Sequence, residues 1–86
     1  MRLFTRARKQ CAHVPDQAAS PRADTCQDCG SRCNLRVCAK CGYVGCCESH
    51  LGHDRDHAIQ TGHAVIRSLP LSMYSFTWCY ACHRYV

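Results

Sequence analysis

The stretch CQDCGSRCNLRVCAKCGYVGCC, running from Cys26 to Cys47, decides how this chain must fold. It holds two Cys-x-x-Cys pairs, Cys26/Cys29 and Cys38/Cys41, each followed at once by a glycine, Gly30 and Gly42. That spacing lets one tight turn offer two thiolates to one tetrahedral ion, and the glycine lets the backbone curl until amide N–H groups point at the sulfurs. Outside the stretch the same chemistry recurs as a third pair at Cys79/Cys82, as Cys11-x-His13, and as His53, His57 and His63. With one sulfur from the Cys46/Cys47 doublet these are enough ligands for three closed tetrahedral zinc sites. Adjacent strand residues face opposite sides, so one member of the doublet enters a site and the other turns away; Cys46 is taken as the ligand. Cys33 and Cys47 are then spare, and both are expected to alkylate under native conditions.

The remaining composition shows why metal is needed. Leu, Ile, Val and Phe make up only 14 of 86 residues, too few for a conventional apolar core. Cysteine supplies 10, a density that means either a disulfide scaffold or a metal scaffold. Arg2, Arg6, Arg8 and Lys9 are followed by no long apolar run, so neither a secretory leader nor a membrane span is expected. A reducing cytoplasm is the expected location, and there zinc is favoured over disulfides. A structural zinc contributes on the order of 10–16 kcal/mol, so folding and metal loading are expected to be one event.

Along the chain, residues 1–10 read as a flexible basic tail and 11–86 as one folded domain, with a loop over 14–25. Strands are expected over 35–39, 43–46, 64–69, 75–79 and 84–86. A helix is expected over 53–61, with Asp54 and Asp56 placed where the helix dipole favours acids and Gly62 where a left-handed cap belongs. The fold class is α+β: a short antiparallel sheet with one main helix, held by zinc. Spacing alone leaves the grouping of ligands open, since His53 and His57, four apart on one helix, are equally able to share an ion.

The motifs Cys11-x-His13, Cys26-x2-Cys29-Gly30, Cys38-x2-Cys41-Gly42, Gly45-Cys46, His53-x3-His57-x5-His63 and Trp78-Cys79-Tyr80-x-Cys82 resemble the UBP-type zinc finger of ubiquitin-specific proteases and one cytoplasmic histone deacetylase. The match spans Cys11 to Cys82 and looks like a stand-alone bacterial-type member. The resemblance implies three interleaved sites. Cys26, Cys29, Cys46 and His53 would hold one ion, Cys38, Cys41, His57 and His63 a second, and Cys11, His13, Cys79 and Cys82 the third.

Eukaryotic members capture the free Gly-Gly carboxylate of ubiquitin. They use an Arg and a Tyr shortly after the cysteine equivalent to Cys46, and a Trp two residues before the one equivalent to Cys38. Here Cys47, Glu48, Ser49 and Arg36 stand in those places. Glu48 reverses the charge offered to a carboxylate, so ubiquitin is not the expected partner. The expected ligand site lies between Arg36, Glu48, Tyr80 and Tyr85, and the expected partner is another protein or peptide terminus.

No enzyme is expected. Twelve ligands over three ions leave no open position for water, and His53-x3-His57 lacks the Glu directly after its first His that a metalloprotease helix uses. The formal charge of +5 drops to about +3 once eight thiolates hold three Zn²⁺, and no basic stripe interleaved with aromatics appears, so nucleic acid is not the expected partner either. The alternative readings are a redox or zinc-responsive regulator acting through Cys33 and Cys47, or weak nucleic-acid binding through the basic tail.

Overall fold

The structure, a computed structural model, describes residues 11–47 and 49–86. The basic tail expected over 1–10, and Glu48, lie outside the described residues. Strands β1 (Leu35–Cys38), β2 (Val44–Cys46), β3 (Val65–Ser68), β4 (Thr77–Cys79) and β5 (Arg84–Tyr85) form a five-stranded sheet in the order β2-β1-β3-β4-β5. Every pairing is antiparallel, with Val37 opposite Val44 and Arg67, and Ile66 opposite Trp78. Helix α1 (His53–Thr61) packs on β1 and β2. The α+β architecture is the one the sequence indicates, and each strand lies within its expected span, shortened at one or both ends.

Helix α1 carries no apolar stripe: among its residues only Asp54 and Ala58 are buried. Its N-cap, Gly52, offers no side-chain bond. A nine-residue segment of this kind is marginal on its own, so its position is set by what its histidines hold. At the far end Gly62 is left-handed and its N–H bonds the Ala58 carbonyl at 2.9 Å, while the Thr61 hydroxyl donates to the His57 carbonyl at 2.7 Å. Gly45 on β2 lets the start of α1 lie directly on the sheet. A Cβ there would come within 2.7 Å of the Tyr43 ring and 2.8 Å of the Asp54 backbone nitrogen.

Two small apolar clusters hold the sheet. Cys26, Leu35, Val37, Val44 and Cys46 form one, with Ala23 and Leu69 against it. Cys11, Ala39, Val65 and Cys79 form the other, flanked by Val14, Ala64, Cys82 and Val86. Six of the fourteen buried apolar residues are cysteines, so the apolar side chains are arranged around the thiols.

The 14–25 loop is irregular, as expected, but it is not idle. Ala19 donates to the Ala39 carbonyl at 2.8 Å and Arg22 to the Gly42 carbonyl at 2.9 Å, strapping the loop across the Cys38–Cys41 turn. At the outer edge of β2, Gln27 bonds Val44 through its backbone N–H and its side-chain Oε1, both at 2.9 Å, which closes an edge that would otherwise invite pairing. The described residues include no helix long and apolar enough to cross a membrane.

Candidate metal centres and the adjoining cleft

Each Cys-x-x-Cys pair closes a turn by the same backbone bond, Gly30 N–H to Cys26, Gly42 N–H to Cys38 and His83 N–H to Cys79, at 2.8–2.9 Å. The third turn has no glycine. His83 takes the left-handed conformation there at φ 55, where Gly30 and Gly42 have 77 and 86.

These turns assemble three clusters, each with four ligand atoms within 4.8 Å of one another. Site 1 is Cys26, Cys29, Cys46 and His53; site 2 is Cys38, Cys41, His57 and His63; site 3 is Cys11, His13, Cys79 and Cys82. In site 1 the His53 Nδ1 lies 3.4 Å from the Cys26 Sγ and 3.3 Å from the Cys46 Sγ, and Cys29 and Cys46 are 4.0 Å apart. Site 2 sets the His57 Nε2 3.4 Å from the Cys41 Sγ and the His63 Nδ1 3.7 Å from the Cys38 Sγ. In site 3 the His13 Nδ1 is 3.3 Å from Cys11 and 3.6 Å from both Cys79 and Cys82, with Cys11 and Cys82 3.6 Å apart.

These separations fit zinc. Tetrahedral geometry with the usual Zn–S and Zn–N lengths requires about 3.8 Å between two sulfurs and about 3.6 Å between sulfur and nitrogen. The same sulfurs are far beyond the ~2.05 Å of a disulfide, and none of the ten cysteines is disulfide-bonded. The helix divides its two histidines: His53 turns Nδ1 back toward β2, whereas His57 extends Nε2 forward to the Cys38–Cys41 turn. Three zinc ions per chain are therefore held in interleaved sites, the first two sharing α1.

Burial and neighbouring donors shift several of the ligand groups. Burial pushes the Cys11 thiol up, but bonds from the His13 ring and N–H, with Cys79 and Cys82, outweigh it and bring the thiol down to about 6. Burial acts likewise on Cys26, where the N–H groups of Cys29, Asp28 and Cys46 win and again lower it to about 6. Cys82 is pushed up to about 11 by its bond to Cys11, by burial and by Cys79, since crowded sulfurs resist a second negative charge. Burial also raises Cys38. His57 is lowered by burial and by the neighbouring His63 and Arg22, which keeps it neutral as a ligand must be. Tyr43 stacks flat on His57 at 4.2 Å and donates its hydroxyl to Asp28, a residue of the Cys26–Cys29 turn, so sites 1 and 2 are joined outside the ligands as well.

Beside site 1 the sheet and α1 enclose a cleft of about 270 Å³. Arg36, Tyr80 and Tyr85 line it; Glu48 lies outside the described residues. Phe76, Trp78 and Asp54 line it too, together with Cys47, Ser49 and Ile66. Phe76 and Trp78 are thus cleft aromatics beyond the expected Tyr80 and Tyr85. The missed signal is the period of two: Phe76, Trp78 and Tyr80 share one face while Cys79, fully buried, faces site 3.

One other expectation changes. Cys47 turns away from site 1, but its side chain is buried against the cleft rather than open to reagents; Cys33 is exposed. Asp54 lies in the first turn of α1, as expected. It is 2% exposed and accepts the Tyr80 hydroxyl at 3.0 Å.

Residues 26–86 match the family described as Zn-finger in ubiquitin-hydrolases and other protein. Among solved structures, the chain is similar to a Rhodopseudomonas palustris protein determined by NMR in solution. The two share 33% identity and a TM-score of 0.75, over 88% of this chain and 79% of that one.

Proposed function

The chain belongs to the family of zinc fingers found in ubiquitin hydrolases and other proteins, and from that premise we propose that it is a non-catalytic module that binds a protein or peptide terminus in the cleft beside site 1. The observation that carries this reading is the division of labour in the molecule. Twelve Cys and His ligands form three four-ligand sets, which leaves the ions structural. The cleft, by contrast, gathers aromatic, cationic and anionic side chains that the fold does not need as ligands. A reducing, cytoplasmic location suits ten free thiols.

The ubiquitin tail is not its ligand in this reading, because Glu48 stands in the sequence where the eukaryotic members place Arg. Losing a charge-assisted Arg–carboxylate contact costs about 1.5–3 kcal/mol, roughly ten- to a hundredfold in affinity. Calorimetric titration of ubiquitin into the zinc-loaded protein tests this. No heat of binding at micromolar concentrations is expected, with a gain in affinity for Glu48→Arg. Micromolar binding that vanishes when the terminal Gly-Gly is removed would overturn it.

A further inference from the structure

We infer that the cleft selects the cationic end of its ligand, an alkylammonium group, rather than a carboxylate. This rests on the reading of the cleft as the ligand site and names the chemistry it recognises.

The walls favour positive charge. Trp78 meets Tyr85 at 4.9 Å and 74°, and Tyr80 at 6.4 Å and 78°; Phe76 meets Tyr85 at 5.3 Å and 87°. In each of these pairs the edge of one ring meets the face of the other. Aromatic faces carry the negative part of the ring quadrupole, which attracts a cation and repels an anion.

The floor carries an acidic side chain. Asp54 is buried beneath the cleft, and its Oδ2 is fixed by the Tyr80 hydroxyl. A carboxylate in so little water acts at longer range than one on the surface. It would oppose an incoming carboxylate and favour an ammonium.

Arg36 is the one cation among the described lining residues, and its geometry is not that of a carboxylate clamp. Its guanidinium lies over Phe76 at 4.9 Å from the ring centroid, and Nη1 donates to the Leu35 carbonyl at 2.9 Å. Part of the fork that would grip a carboxylate in two places is thus turned to the protein's own backbone. The stack also shows that a ring of this cleft accepts a cation.

The test uses the single tryptophan of the chain, Trp78, as reporter. Zinc-loaded protein is titrated with glycylglycinamide, which has an α-amine and no carboxylate, with N-acetyl-lysinamide, which has only a side-chain amine, and with N-acetylglycylglycine, which has only a carboxylate. At least one amine probe is expected to shift Trp78 emission saturably, at least tenfold more tightly than the carboxylate probe. Which amine binds better identifies the source of the ammonium. Asp54→Asn keeps an acceptor for Tyr80 and is expected to weaken the amine probe at least fivefold with three zinc ions still bound. Should that variant not fold, Arg36→Ala decides: removing the competing cation tightens amine binding if the inference holds. Tighter binding of N-acetylglycylglycine, lost in Arg36→Ala, would overturn the inference and leave the cleft a terminus-binding site. Silence from all three probes would overturn both.

Discussion

His53 and His57 sit one helical turn apart and serve different ions, a division decided by which ring nitrogen each presents. The cysteine doublet is divided by strand alternation, since only Cys46 enters site 1. Cys46→Ser is therefore expected to lose one of three zinc ions by metal analysis, whereas Cys47→Ser keeps all three; the reverse would assign the wrong sulfur. Native alkylation should label Cys33 first, with Cys47 slow because it is buried. Protonation gives a second prediction. Cys11 and Cys26 are lowered from an ordinary 9.0 to about 6. A depressed thiol contributes stability that is complete above its ordinary value and is lost as pH falls through its folded value. Protons and zinc also compete for the same sulfurs. Zinc should thus be retained at pH 7.5 and released as pH falls through and below about 6, followed with a metallochromic dye. Retention at pH 4 would contradict this assignment.

At the scale of elements, the helix and strands were legible because turn glycines and ligand spacing mark their ends. The bounds of α1 match the expected 53–61, even though the helix has no apolar face to announce it. What spacing could not supply was the grouping of ligands, which came from family resemblance, and the bond that Tyr80 donates to Asp54. Close approaches are equally silent in a sequence. Gly45 looks like any strand glycine, yet it is where α1 touches β2. Gly45→Ala is expected to destabilise the protein by about 1–3 kcal/mol, the usual cost of overpacking, and to weaken zinc retention at sites 1 and 2 before site 3. Thermal melts and stepwise chelation would show it; an unchanged melting temperature would mean that the helix can shift without cost.

For the whole molecule, scarcity of apolar side chains and abundance of thiols are two sides of one design. The buried apolar residues surround the metal ligands in two separate clusters, so no continuous core remains when the ions leave. The sheet links all three sites: β1 ends at a site 2 ligand, β2 at a site 1 ligand and β4 at a site 3 ligand. The cleft, built from β1, β3, β4, β5 and α1, depends on that frame. The most direct test of this account is zinc stoichiometry measured together with circular dichroism during chelation. It predicts three zinc ions per chain and loss of secondary structure as they are removed. One ion per chain, or a fold that survives complete chelation, would contradict it.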